Sequence, residues 1–182
     1  MTLDRMARDL ALLDVLDSFP REEFEGSAWR IVREERDPLQ GSPSGARWDP
    51  GTFDVLYAAL ERDGALTEIH FHLSRQPVFP SNVRFILSQI MVHVRNVLRL
   101  RDLSALEVLG VDRDQFSELK YSRTQEIGDA AQFLGFSGMI VPSARWRGLN
   151  LVLFTDQLSS DALAIQSKEI IDWAVWRRGR MT

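Results

Sequence analysis

The sequence contains no cysteine and only three histidines, His70, His72 and His93. The absence of cysteine excludes disulfides, thiolate metal sites and cysteine nucleophiles together, and it fits a reducing cytoplasm. A metal site would need carboxylate ligands, and His70 and His72 would share a face only if their segment were a strand. We therefore expect structural or surface histidines and no metal ion.

An excess of positive charge is also lacking, since 22 basic residues face 26 acidic ones. Proteins that bind the phosphate backbone of nucleic acids present basic surfaces, so we expect no direct nucleic-acid binding. The longest uncharged stretch, residues 130–144, contains Gly, Pro and Ser. It is shorter than the roughly 18 apolar residues that a membrane helix needs. We expect a cytoplasmic protein without membrane contact.

Common catalytic signatures are missing as well: there is no phosphate-binding P-loop, Gly-x-Gly-x-x-Gly, His-Glu-x-x-His or Gly-x-Ser-x-Gly. The 182 residues, of which 45% are hydrophobic, are enough to bury a sizeable core. We find no internal repeat, linker or low-complexity tract. The sequence predicts one domain over residues 1–182.

Hydrophobic periodicity predicts an α+β fold, with a mixed sheet and flanking helices. Within residues 1–20, helical spacing of apolar side chains predicts an amphipathic helix that begins near Thr2 and is closed by Pro20. We expect short strands at 28–33, 55–57, 138–141 and 150–154 and one or two strands within 85–103. We also expect helices near 104–109 and 122–135, and a final strand or helix near 170–176.

Two segments have a special pattern. Residues 38–51 contain three Gly and three Pro, which predicts a long loop of defined shape. Residues 63–74 are ambiguous, because 67–73 alternate with period two whereas Leu66, Ile69 and Leu73 share a helical face. We favour the helix and expect Asp63 to cap its N-terminus.

Two arginines lie where an anion would be expected. Arg30 stands in the middle of a short apolar strand, and Arg47 lies in the loop before a tryptophan. A guanidinium in apolar surroundings needs an anionic partner, and its planar fork suits phosphate. Each is therefore a candidate anion ligand or half of a structural ion pair. Glu68, between apolar positions, and Ser143, after Pro142, also admit ordinary roles on a helix flank and in a turn.

Taken in order, several local sequences resemble the RES-domain family, which is named for an Arg, a Glu and a Ser. The resemblance spans residues 28–154, and the ordered set is specific although each piece alone is weak. The pieces are Trp29-Arg30-Ile31-Val32, Gly45-Ala46-Arg47-Trp48-Asp49, Leu56-Tyr57-Ala58-Ala59, Ala65-Leu66-Thr67-Glu68 and Val141-Pro142-Ser143-Ala144-Arg145. Arg30, Glu68 and Ser143 match the naming residues, and Arg47 and Tyr57 match two further family positions. Asp49 departs from the Asn common there, which affects the expected ligand contact.

The resemblance implies a fold similar to ADP-ribosyltransferases and the toxin of a bacterial type II toxin-antitoxin system. Such toxins cleave NAD at the nicotinamide-ribose bond by hydrolysis or phosphorolysis, and a small helix-turn-helix antitoxin blocks them. ADP-ribose transfer to a protein, a catalytically silent binding module and a homodimer stay open as alternatives.

The resemblance also implies roles for the matching residues. Arg30 and Arg47 would hold the pyrophosphate, and Tyr57 would stack on the cationic nicotinamide ring. Ser143 would position the ribose or the nicotinamide amide. Glu68 would stabilise positive charge on the ribose during bond cleavage.

Overall fold

The computed structural model describes residues 7–181. These residues form five α-helices and six β-strands, together with a short 3₁₀ turn at Thr155–Gln157. In chain order they are α1 (Leu10–Asp17), β1 (Glu22–Arg33), β2 (Val55–Ala59), α2 (Arg62–Ser74), β3 (Phe85–Arg99), α3 (Leu103–Val108), α4 (Ser122–Phe133), β4 (Gly138–Pro142), β5 (Leu149–Phe154), β6 (Leu163–Ile170) and α5 (Trp173–Arg178).

The strands form one mixed sheet in the order β1-β2-β5-β4-β3-β6, in which β1 also pairs with β3. This extra pairing closes β1, β2, β5, β4 and β3 into a ring, and β6 extends it along β3. The only parallel pair in the described chain is β3 with β4. β1 and β2 share a single register pair, Trp29 with Ala59. The two strands therefore diverge beyond that pair and leave room between them.

Three buried apolar clusters hold the helices to the sheet. One lies between β4, β5 and the helices α1, α3 and α4, and a second fills the interior of the ring. The third lies under α2 and includes Leu66, Leu73 and Trp173. β4 and β5 are buried on both faces along most of their length. That burial explains the continuous apolar runs of their sequences.

The helices follow the predicted pattern with two corrections. α2 confirms the helical interpretation of residues 63–74, but the cap position is Glu61, which makes no side-chain capping bond, so the prediction that Asp63 caps the helix is wrong. α1 begins at Leu10, where Asp9 accepts hydrogen bonds from Ala11 N and Leu12 N, and not near Thr2. The first part of that predicted helix, residues 1–6, lies outside the described residues.

The strands are longer than predicted, and one was missed. β1 begins at Glu22, and residues 85–99 form the single strand β3. β6 was not predicted, because nearly all its side chains are exposed and no apolar alternation marks it. The final segment is the helix α5. Within residues 7–181, no helix has the length and apolar character to cross a membrane.

Gly128 of α4 packs directly against the long loop that precedes β2. A Cβ at this position would overlap the carbonyl oxygen of Trp48, whose side chain is 2% exposed. We expect Gly128→Ala to lower the free energy of unfolding by about 2 kcal/mol or more, despite the better helix propensity of alanine. Urea unfolding measures the effect.

Gly26→Ala is the matched control, because its Cβ would make only ordinary contact with the ring of Phe24. We expect its change to stay below about 1 kcal/mol. Equal losses for the two variants would show that the contact between α4 and the loop is loosely packed.

Candidate active site

A cavity of about 280 Å³ opens where β1 and β2 diverge. Its walls come from β1, β2, α2, residues 44–48 and the hairpin that joins β4 to β5. Four of the five predicted site residues line it: Arg30, Arg47, Tyr57 and Glu68. Ser143 lies beside the cavity, between wall residues 142 and 144. The volume is at the lower end for ligand pockets, about 300–1,000 Å³.

The carboxylate of Glu68 is held by two side chains from the β4–β5 hairpin. Ser143 Oγ donates a hydrogen bond to Glu68 Oε2 over 2.7 Å, and Asn150 Nδ2 donates to the same oxygen over 3.3 Å. Asn150 pairs with Val141 near the loop of that hairpin, close to Ser143. One carboxylate oxygen is thereby fixed, and Oε1 has no hydrogen bond within the described residues. Oε1 is the oxygen available to a ligand.

Ser143 uses its whole hydroxyl group for structure. While it donates to Glu68, its Oγ accepts from Arg145 N over 3.1 Å and from Trp146 N over 3.0 Å. Its own backbone N–H donates to Gly148 O over 3.0 Å. A serine nucleophile needs a base that takes its proton, and here the proton is shared with a carboxylate that other groups already hold. The geometry supports a positioning role.

Arg30 is half-buried in β1 and forms no ion pair within the described residues. Its Nη1 has no hydrogen-bond partner in the described part of the chain. Burial lowers the pKa of Arg30 to about 10; the charge of Arg36 lowers it further, and that of Asp37 opposes the shift. A buried charge left without a partner costs several kcal/mol of stability. The arrangement is that of an anion site.

Arg47 is engaged with the protein itself. Its Nη1 donates to Phe116 O over 2.5 Å and its Nη2 to Glu118 O over 3.3 Å. The guanidinium also stacks on the rings of Phe116 and Tyr121, at 4.9 and 4.7 Å. Burial is the main cause that lowers its pKa. Arg47 therefore clamps residues 116–121 onto the cavity wall, and only its remaining donors are free for a ligand.

Tyr57 lines the cavity, and hydrogen bonds to the loop before β2 hold its hydroxyl. The hydroxyl donates to Asp49 Oδ1 over 2.6 Å and accepts from Trp48 N over 3.1 Å. Burial first, and then the Asp49 carboxylate, raise the pKa of the phenol, so it stays protonated. The ring cannot swing without breaking these two bonds.

Asp49 is a fully buried centre of the loop before β2. Besides the Tyr57 hydroxyl, it accepts hydrogen bonds from Ser44 N and Oγ, Gly45 N, Ala46 N and Gly51 N, at 2.8 to 3.2 Å. Gly45 and Gly51 have positive φ, which glycine adopts without strain. Asp49 does not line the cavity. Its observed role is to shape the loop and to hold the hydroxyl of Tyr57, and an effect of this position on a ligand contact stays a prediction.

Three further residues of the site were not singled out by the sequence as site residues: Asn150, His72 and Arg145. Asn150 was interpreted only as part of a strand. His72 was expected to be a structural or surface residue, yet it lines the cavity, one helical turn from Glu68. His70 faces elsewhere and packs on the ring of Trp176 at 4.9 Å. Across residues 7–181, no group of three or more potential side-chain ligands is placed to hold a metal ion.

Comparison with known proteins gives concordant matches. The model of the RES domain family matches residues 27–176. The NAD(+) phosphorylases MbcT of Mycobacterium tuberculosis and Mycobacterium bovis are each 24% identical over 185 residues, covering 97% of this chain and 98% of theirs. In the crystal structure of the M. tuberculosis MbcT-MbcA toxin-antitoxin complex, a chain matches with a TM-score of 0.85 and 24% identity, covering 97% of this chain and 100% of that one. This likeness establishes the fold.

The Asp49 centre predicts a defined dependence of stability on pH. Burial opposes ionisation of this carboxyl, but hydrogen bonds from Tyr57, Ser44 and the loop backbone outweigh it and lower the pKa below the ordinary 3.8. The ionised form therefore stabilises the fold fully above that value, and its contribution is lost as the pH falls through the lowered pKa.

We expect Asp49→Asn to reduce the free energy of unfolding at pH 7 by roughly 1.5–3 kcal/mol, because an amide group cannot accept from every N–H donor of the loop. Below pH 3.8 the difference between the two proteins should shrink. Urea unfolding across this range measures it, and a difference that is constant with pH would contradict the assigned role.

Proposed function

This chain belongs to the RES domain family, and we propose that it is the toxin of a toxin-antitoxin system that cleaves NAD at the nicotinamide-ribose bond. The observation that carries the proposal is one cavity that is lined both by a half-buried arginine with an unpaired Nη1, Arg30, and by an immobilised carboxylate, Glu68. The MbcT relatives, which act on NAD by name, support the same substrate.

The charges of the cavity suit a dinucleotide. Arg30, Arg47 and Arg145 line it together with a single acid, Glu68. Arg30 has no anionic partner in the protein, and a pyrophosphate would supply one. A guanidinium binds phosphate oxygens through paired N–H donors. The remaining donors of Arg47 would reach the same group. The bound dinucleotide would thus neutralise the excess positive charge of the cavity.

Glu68 would act on the developing charge at the reacting ribose. As the bond between C1 of that ribose and the ring nitrogen breaks, its electron pair leaves with nicotinamide and positive charge grows on the sugar. A carboxylate held in advance stabilises that charge without reorganising. Nicotinamide departs as a neutral ring, so no general acid is required. The bonds from Ser143 and Asn150 keep Glu68 in place for this step.

Tyr57 and Ser143 would contribute by position. The ring of Tyr57 borders the cavity and is fixed through its hydroxyl, which suits stacking on a cationic nicotinamide. The hydroxyl of Ser143 is occupied, so we assign it an indirect role in which it orients Glu68 towards the ribose.

We infer further that the fold is of the ADP-ribosyltransferase type and that a helix-turn-helix antitoxin covers the cavity in the cytoplasm. The crystal structure of the MbcT-MbcA toxin-antitoxin complex supports an antitoxin partner.

Mass spectrometry of NAD incubated with antitoxin-free protein, with and without inorganic phosphate, tests the proposal. We expect free nicotinamide together with ADP-ribose or its phosphorylated form, and growth arrest when the protein is expressed alone. Unchanged NAD with folded protein would favour a silent binding module. A gain of ADP-ribose mass on a protein would indicate transfer.

Arg30→Gln should change NAD binding and the stability of the unliganded protein in different ways. We expect NAD affinity to fall by roughly 1.5–3 kcal/mol, about 10- to 150-fold in Kd, because a charge-assisted contact is lost. The free energy of unfolding of the unliganded protein should stay equal or rise, since an uncompensated buried charge is removed. Calorimetry and urea unfolding measure both quantities.

Arg33→Gln, an exposed position on the same strand, should leave affinity and stability unchanged. If Arg30→Gln instead destabilised the protein and kept its NAD affinity, Arg30 would be half of a structural ion pair.

Glu68→Gln should lower the rate of the chemical step by about 10²-fold or more while NAD affinity stays nearly intact. The amide keeps the shape of the side chain but lacks the charge that stabilises the ribose cation. Single-turnover rates and calorimetry on one preparation provide the comparison. Glu169→Gln, whose carboxylate forms a surface ion pair with Arg62, is the control. Near-normal turnover in the Glu68 variant would refute the mechanism.

A further inference from the structure

Two neighbouring positions on β1 and β3 carry polar side chains at the end of an apolar interior. On the inner face of the ring, Ala28 of β1 is the register partner of Ile90 of β3, and both are buried in the apolar cluster there. The next inward pair along the same strands is Arg30 with Ser88. Register partners in an antiparallel ladder share a face, with Cβ atoms about 4.5–5.5 Å apart. Arg30 and Ser88 are therefore direct neighbours.

The adjacent positions of the sheet agree with this assignment of faces. Ile31 and Leu87, the register partners beside this pair, pack on the opposite face, in the cluster under α2. Lys168, the register partner of Ser88 on β6, is exposed and basic. The cross-strand row of Arg30, Ser88 and Lys168 thus contains no carboxylate.

Both members of the pair have a buried polar atom without a hydrogen bond in the described part of the chain. The two atoms are Nη1 of Arg30 and Oγ of Ser88, and Ser88 is 0% exposed. Asp37, the acid whose charge acts on Arg30, is itself exposed and accepts a hydrogen bond from Leu39 N over 2.9 Å. A buried hydroxyl without a partner destabilises a fold, and an alanine would avoid that penalty. Folding alone therefore does not account for the serine at position 88.

The guanidinium of Arg30 has enough N–H donors to serve a partner in the protein and an anion at the same time. Nη1 is the nitrogen that the protein encloses. The edge formed by Nε and Nη2 can bind two phosphate oxygens in the paired geometry that guanidinium groups favour. A hydroxyl that accepted a hydrogen bond from Nη1 would fix the direction in which this edge points. Ser88 is the cross-strand neighbour placed to do so.

We propose that Ser88 is a positioning residue for the dinucleotide. When the pyrophosphate binds, the Ser88 hydroxyl accepts a hydrogen bond from Nη1 of Arg30, so that the Nε and Nη2 edge faces the phosphate oxygens. Ser88 does not line the cavity, and its effect on the ligand passes through Arg30. Because Nη1 and Oγ are both unpaired in the structure, this bond is one that forms on binding. The inference rests on the proposed function.

A double-mutant cycle of wild type, Ser88→Ala, Arg30→Gln and the double variant tests the assignment. The probes for calorimetric titration are inorganic pyrophosphate and ADP-ribose, which keeps the pyrophosphate but has no nicotinamide bond to cleave. We expect Ser88→Ala to raise the Kd of both probes about fivefold when Arg30 is present. In the Arg30→Gln background the effect should be less than about twofold, because the serine acts through the guanidinium. The melting temperature of Ser88→Ala should stay equal or rise, since an unpaired buried hydroxyl is removed.

Ser27→Ala is the matched control, and Ser88→Cys is the second variant. Ser27 lies on the same ladder of β1 and β3, but its hydroxyl already donates to Gln166 and accepts from Gln89. Ser27→Ala should therefore bind both probes as wild type does. Ser88→Cys keeps nearly the volume of serine and replaces the hydroxyl with a weaker acceptor, so it should weaken binding in the same direction as Ser88→Ala.

Two results would overturn the assignment. In one, Ser88→Ala raises the Kd by the same factor in both backgrounds, which would show that the serine acts without Arg30. In the other, both Ser88 variants bind the probes like wild type, which would make the serine a part of the packing alone. Release of nicotinamide from NAD judges the proposed function separately, whereas the titrations judge Ser88 whether or not NAD is cleaved. A wild-type protein that bound neither probe would refute the assignment as well.

Discussion

The hydroxyl of Ser143 and the carboxylate of Glu68 come from positions 75 residues apart and meet over 2.7 Å. Their bond joins α2 to the β4–β5 hairpin, and Asn150 reinforces it from the next strand. The same hydroxyl accepts from two backbone N–H groups, so the turn that presents Arg145 takes its shape from Ser143 as well. The orientation of the carboxylate and the form of the cavity mouth therefore depend on one hydrogen-bonded centre.

A second buried centre, at Asp49, supports another part of the cavity wall. Asp49 gathers the N–H groups of its loop and the hydroxyl of Tyr57, and Arg47 clamps residues 116–121 by their carbonyl oxygens. Because buried polar groups are costly when unpaired, these saturated networks make the walls rigid. Nη1 of Arg30, in contrast, has no hydrogen-bond partner among the described residues, and a phosphate oxygen would provide one.

Local sequence patterns predicted the strands of the ring, the helix α2 and the residues that resemble the family motifs. They did so because buried apolar side chains recur with the period of the helix or strand that carries them. They did not reveal β6, whose exposed side chains carry no alternation. The partners of Arg47 lie 69 and 71 positions away, so no local sequence could show that this arginine is already engaged. His72 joined the site only when α2 placed it beside Glu68.

A crystal structure of the Glu68→Gln variant with NAD tests most directly whether the two centres frame a dinucleotide site. The account predicts the pyrophosphate within hydrogen-bond distance of the Arg30 guanidinium, the reacting ribose beside residue 68 and the nicotinamide ring against Tyr57. A dinucleotide bound outside the cavity, with Nη1 of Arg30 still unpaired, would contradict it.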